Sequence, residues 1–267
     1  MHSYAPTAPT APTPWRYTPR AQPGQPPKPR EPEPFLDQVA YFKERYPEGF
    51  QDPNWLRDQR GRDASKVLKR HREPALNAAR EHAARLPGLL AAGDEARVLR
   101  ELHELLGATS LVPLKQVRRL EHLVGPAATA VARAWGDLVQ SDALELEPFV
   151  SALASAGLPA SWPLVTAPIA LVRPHAAAFV QVRLLQKQAK RLGSQLRLTS
   201  LPQSERYRAA CELVVGLRGR LRKAGLEAQD LFDVTDFAWA TLRPMAQATL
   251  DGAHRRRLRR ERDGEAA

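Results

Sequence analysis

From Phe35 onward, apolar residues recur at intervals of three and four. Phe35, Leu36, Val39, Phe42 and Tyr46 fall on one helical face, because 3.6 residues per turn brings such positions together. Pro34 stands where a first-turn proline belongs, and Pro47-Glu48-Gly49 ends the segment. Asp52-Pro53 reads as an N-cap followed by a first-turn proline, opening a short turn that carries Trp55 and Leu56. A polar helix is expected from about Arg62, with Lys66, Lys69, Arg70 and Arg72, interrupted near Pro74. The apolar pattern resumes with Leu76, Ala79, Ala83 and Leu86 and stops at Pro87-Gly88.

The same reading continues down the chain. Asp94 can cap a helix bearing Val98, Leu99, Leu102, Leu105 and Leu106, with Gly107 as a left-handed terminator. Pro113 starts another, with Val117, Leu120, Leu123 and Val124 inward, closed by Gly125-Pro126. Ala130, Val131, Ala134, Trp135 and Leu138 mark the next, and Leu146, Phe149, Val150 and Leu153 the one after. Pro159, Pro163, Pro168 and Pro174 punctuate an apolar run around Trp162, Val165 and Ile169, which suits a short buried helix with irregular flanks. A helix over 178–192 ends at Gly193, and an extended piece, 195–198, follows. The longest helix carries Tyr207, Ala210, Cys211, Val214, Leu217 and Leu221. The last core helix holds Leu231, Val234, Phe237, Ala238 and Leu242 and stops at Arg243-Pro244. Strand-like alternation is nearly absent, loops are short and no repeat of fixed period occurs. The expectation is an all-α fold, an irregular multi-helix bundle.

The ends lack this period. Residues 1–34 open with three copies of Ala-Pro-Thr and continue through Pro26-Pro27-Lys28-Pro29-Arg30. Proline fixes φ and removes amide donors, so a disordered, proline-rich tail is expected, with a PxxP spacing whose plainer reading is a spacer. A helical domain over 35–250 follows, then a basic, disordered, arginine-rich tail over 251–267 that includes Arg255, Arg256 and Arg257.

The 267 residues carry a net charge of +11, which favours anionic partners and comes mostly from arginine. Arginine with alanine and proline is also what a GC-rich genome writes by default. The single cysteine excludes an intrachain disulfide and fits a reducing compartment. The opening residues have neither the basic nor the apolar region of a signal peptide, and no run of 18 apolar residues occurs. A cytoplasmic protein without membrane attachment is expected.

Candidate chemistry is sparse. His103-Glu104 begins like a zinc helix, but Gly107 stands where the second ligand would be, so no metal site and no cofactor are expected. Glu227, Asp230, Asp233 and Asp236 recur every third residue; such a stripe can present paired carboxylates, but it drifts around a helix and its acids suit capping and the helix dipole. No nucleophile elbow or phosphate loop occurs, and Cys211 lies on an apolar stripe. The basic faces say most. Arg183, Lys187, Lys190 and Arg191 share one side of their helix, opposite Val182, Leu185, Ala189 and Leu192. Lys115, Arg118, Arg119 and His122 repeat the arrangement opposite Val117, Leu120 and Val124. Cations without interspersed acids can release phosphate counterions, although a solvated face has the same pattern and no aromatic residues interleave for base stacking.

The segment Tyr41-Phe42-Lys-Glu-Arg-Tyr-Pro-Glu-Gly-Phe-Gln-Asp-Pro53, the run Trp162-Pro-Leu-Val-Thr-Ala-Pro168 and the closing Asp230-Leu-Phe-Asp-Val-Thr-Asp-Phe-Ala-Trp239 together resemble an uncharacterised bacterial all-helical protein family. Residues 173–180 depart from its pattern. The resemblance implies one helical module and carries over no reaction, cofactor or catalytic residue.

The reading favoured first is a non-enzymatic helical binding module that contacts nucleic-acid phosphates through Arg183, Lys187, Lys190, Arg191, Lys115, Arg118, Arg119 and the Arg255, Arg256, Arg257 tail. An interaction or scaffold subunit, with an acidic protein as partner, is the alternative. An enzyme built on the 227–236 acidic stripe comes third.

Overall fold

The computed structural model describes residues 33–252; the proline-rich leader up to residue 32, and Arg255, Arg256 and Arg257, lie outside the described residues. Among the described residues the fold is all-helical and contains no strand. The elements run α1 (Glu33–Arg45), α2 (Pro53–Trp55), α3 (Arg72–Ala91), α4 (Glu95–Gly107), α5 (Leu114–Glu121), α6 (Gly125–Gln140), α7 (Glu147–Ser155), α8 (Trp162–Val172), α9 (Val182–Arg191), α10 (Ser204–Lys223) and α11 (Leu231–Leu242). After Arg243 the chain is helical again over 244–252, with Pro244 supplying a first turn that needs no amide donor.

The centre of the bundle is α8. From Leu164 to Leu171 every residue is buried, as expected of a helix that is apolar all round. Ser161 caps it, accepting from the Leu164 amide at 3.3 Å, and α3, α4 and α6 pack around it. The N-terminal segment closes over α11 through rings: Phe42 lies 5.1 Å from Tyr46, Phe50 and Trp55 and 5.0 Å from Phe237, centroid to centroid. Such tilted and edge-on pairs add to the area the rings bury. A buried polar contact fixes the register of this packing: Gln38 Nε2 on α1 donates to Gln188 Oε1 on α9 at 2.7 Å and to Thr241 Oγ1 on α11 at 2.6 Å.

Several boundaries differ from the sequence expectation. Residues 62–71 are irregular, not a polar helix, and Pro74 sits in the first turn of α3, where its missing amide is no loss. Helix α3 passes through Pro87 to Ala91 because Leu86 and Leu90, on either side, pack into the core. Gly107 stays helical, since Thr109 Oγ1 donates to the Leu106 carbonyl at 3.0 Å and no left-handed residue is needed to finish the turn. The helix expected from 178 begins at Val182, because the preceding backbone finds partners elsewhere: Tyr207 Oη donates to the Ala178 carbonyl, and the Val180 amide donates to Thr166 Oγ1, both at 3.1 Å. Residues 195–198 form no regular extended element. Helices α3 and α10 are equally long, at 20 residues.

Candidate functional site

The acidic stripe is consumed by arginines. Asp230 caps α11, accepting from the Phe232 and Asp233 amides at 2.9 and 3.1 Å. The same carboxylate receives both Nη groups of Arg60, at 3.1 and 2.8 Å. Asp233 accepts from the Gln229 amide at 2.8 Å and from Trp55 Nε1 at 3.2 Å, with Arg60 at 3.5 Å. One turn on, Asp236 holds Arg72 in a two-bonded fork at 2.9 and 2.8 Å. Burial pushes the Asp233 carboxyl up to about 7, helped by the neighbouring Asp230 charge and opposed by Arg60. Asp230 and Asp233 thus do converge, but on a guanidinium that fills the space a metal would need; Glu227 is exposed. Among the described residues no group of three or more His, Cys, Asp or Glu could hold a metal ion.

A second buried polar relay crosses α3, α4 and α6. Trp135 Nε1 donates to His82 Nε2 at 3.1 Å, so the ring proton sits on Nδ1, which faces Glu101 Oε2 at 2.9 Å. Burial would raise Glu101, but hydrogen bonds from Arg85 and His82 hold it at about 2. The indole caps the nitrogen a general base would use, which makes the relay a structural tie. Cys211, half-buried beside Tyr207, has its thiol pushed up by burial and is poorly suited to nucleophilic work. His103 lies 3.8 Å from Glu121.

The sequence-predicted cations are divided. Lys115, Arg118 and Arg119 on α5 are exposed, as are Arg183 and Lys190 on α9, and among the described residues no carboxylate lies within ion-pair distance of them. Lys187 is exposed and reaches Gln247 at 3.4 Å. Arg191 is the exception: its side chain is 15% exposed and bonded to Asp251 at 2.6 Å, so its charge is already matched by an acid from the helix after Pro244. A shallow groove between residues 110–113 and the first turn of α9 is lined by Pro113 and Arg183 and connects the starts of α5 and α9.

Sequence reasoning missed a cleft that shares Ser110, Leu111, Gln181 and Leu184 with this groove. A cavity of about 350 Å³ lies between the end of α1, the segment before α3, the start of α9 and the outer face of α11. Four arginines line it, Arg45, Arg70, Arg72 and Arg243, against the carboxylates of Asp58 and Asp236. Trp239, 44% exposed, contributes an indole, and the Arg243 guanidinium sits 5.6 Å over its ring. Gln59, Gln181 and Ser110 add hydrogen-bonding side chains. No spacing in the chain signals this assembly, because its arginines come from three separate segments, at 45, 70–72 and 243; the single trace is Trp239, an aromatic residue off the apolar stripe of α11.

Among the described residues no helix is long and apolar enough to cross a membrane. The chain matches no family model, no curated protein and no solved structure.

Proposed function

We propose that this chain is a non-enzymatic helical module that binds nucleic acid through its phosphates, along the α5 and α9 cations and the groove that joins their N-terminal ends. The observation that supports this reading is the exposure of Lys115, Arg118, Arg119, Arg183 and Lys190 without carboxylate partners among the described residues, beside a groove that Arg183 lines. Cations so placed exchange small counterions for phosphates with little sequence preference. The acids of α11 support a binding role over catalysis on that stripe, since Arg60 and Arg72 occupy their oxygens.

The experiment is a salt titration of binding to a duplex and to a single strand. Replacing Arg183, Lys187 and Lys190 by Gln is expected to flatten the log–log slope by about two to three for duplex, at about 0.9 per phosphate contact. Removing residues 254–267 separates a contribution of the arginine tail. Absence of salt-sensitive binding at low salt sinks the reading. A second reading, a protein-interaction subunit, draws support from a groove of about 690 Å³ between α4 and α5, where Leu99, Leu120, Leu123 and the exposed Val124 stand among Arg100, His103, Glu104 and Glu121.

A further inference from the structure

We propose that the cleft at Trp239 is a binding site for a nucleoside phosphate, with its arginines taking the phosphate and its indole carrying the base. The charge balance comes first. Of the two carboxylates at the cleft, Asp236 is held by Arg72, and Asp58 is bonded at 3.1 Å by Arg57, which does not line the cavity. Arg45, Arg70 and Arg243 therefore face it with no carboxylate within ion-pair distance among the described residues. Arg45 Nε donates to Tyr46 Oη at 3.2 Å and Arg70 Nε to the Asp58 carbonyl at 3.3 Å, which orients both forks without neutralising them. Arg243 Nε is buried and has no hydrogen-bond partner among the described residues. Three like charges at one concavity repel one another until an anion joins them, and the planar forks match phosphate oxygens in pairs.

The ring side of the site is equally specific. Every residue of α11 from Leu231 to Leu242 is buried except Trp239. A large indole left open on an otherwise buried helix, beside a guanidinium, is the surface on which bases stack. The Gln59 and Gln181 amides, both at the cavity wall, offer paired donors and acceptors of the kind that read a base edge. At about 350 Å³ the cavity falls within the size range of small-molecule sites. The nucleotide can come from two sources, a free mononucleotide or the phosphorylated end of a strand, and the site chemistry is the same for both.

The full chain is titrated with adenosine 5′-monophosphate, adenosine, inorganic phosphate, and a short oligonucleotide with and without a 5′-phosphate, read by calorimetry and tryptophan fluorescence. One of the two nucleotide sources should bind saturably, about tenfold or more tighter than inorganic phosphate. Trp239→Leu should lower that affinity about tenfold and remove the fluorescence response while leaving weak phosphate binding as it was. Arg45→Gln with Arg243→Gln should weaken nucleotide and phosphate alike, and Arg243→Lys, which keeps charge but not the fork, should fall between; circular dichroism checks that each variant folds. Saturation by the monophosphate assigns a free nucleotide; saturation only by the 5′-phosphorylated oligonucleotide assigns a strand end. Equal affinity for phosphate and nucleotide, or no Trp239-dependent binding of either source, overturns the proposal. Nucleotide binding that persists where salt-sensitive strand binding is absent would remove the phosphate-tracking reading above and leave this one standing.

Discussion

Arg60 and Asp230 lie 170 residues apart in the chain and meet in the core as a two-bonded ion pair, at 3.1 and 2.8 Å, with side chains 5% and 4% exposed. The pair joins the π-turn that follows α2, Leu56–Arg60, to the first turn of α11. A buried pair of this kind adds little net stability over an apolar substitute, but stranding one member is costly because the other charge stays desolvated. Asp230→Asn keeps an oxygen for the helix cap and removes the charge, so it isolates that cost. The expected loss is about 3 kcal/mol or more, measured by urea unfolding. A loss below about 1 kcal/mol, ordinary for an exposed pair, would show that Asp233, 3.5 Å from Arg60, or water takes the place of the lost carboxylate.

Two carboxyls should give stability opposite pH slopes. Asp233 is raised from its ordinary 3.8 to about 7, so the folded chain holds a proton that the unfolded chain has lost. Its contribution is complete below the unfolded value and declines as pH rises from about 4 to about 7. Glu101 is lowered from 4.5 to about 2, so its contribution is complete above the unfolded value and is lost as pH falls toward 2. Denaturation of Asp233→Asn, compared with the parent chain, should show a gap that moves in favour of the variant toward pH 7, a window set by the raised value. Glu101→Gln should show its deficit above pH 4.5 and lose it in acid. A gap independent of pH in either variant contradicts the assignment.

The helices were legible where one apolar stripe explains one packed face, as with Phe35, Val39 and Phe42 on α1 or Leu99, Leu102 and Leu106 on α4. The sequence reading failed where a tertiary partner replaced a local signal. Gly107 needed no left-handed turn because Thr109 reaches back to the Leu106 carbonyl, and Pro87 did not break α3 because its neighbours are packed. Arg72 reads as a cation of a polar helix in sequence, whereas the distant Asp236 draws it partly inward, as Asp230 holds Arg60 in the core. The α5 face kept its exposed cations, whereas Arg191 acquired Asp251 from a helix not anticipated beyond Pro244. The Trp239 cleft was invisible for the same reason, since periodicity reports which side of a helix is apolar and not which separate segments meet at its polar side.

The turn that carries Arg60 also depends on Gly61. Its φ of 83° closes the π-turn in the left-handed region, and a Cβ there would stand 2.7 Å from the His71 ring and Cβ. Gly93 has φ 69° with open space around it. Gly61→Ala adds a clash to the left-handed strain of about 1–2 kcal/mol, whereas Gly93→Ala adds the strain alone. Thermal or urea unfolding should therefore place Gly61→Ala clearly below Gly93→Ala. Equal losses would mean that His71 moves aside without cost.

Asp251 provides the most direct test of the charge on α9. It lies 2.6 Å from Arg191 and neutralises the one cation of that face that is not open to phosphate. If the face tracks a nucleic-acid backbone, Asp251→Asn releases Arg191 as an additional contact. The salt dependence should then steepen by up to about 0.9 for duplex and about 0.7 for a single strand, with tighter binding at low salt. Most surface variants weaken binding for many reasons, but a gain confined to the slope has one source, a new counterion exchanged. The removal of one negative charge must be separated from this local effect. Glu145→Gln, at an exposed acid between α6 and α7, makes the same change in net charge away from α9. An equal steepening by both variants would assign the effect to overall charge and count against the α9 face. A steepening produced by Asp251→Asn alone would place phosphate at Arg191.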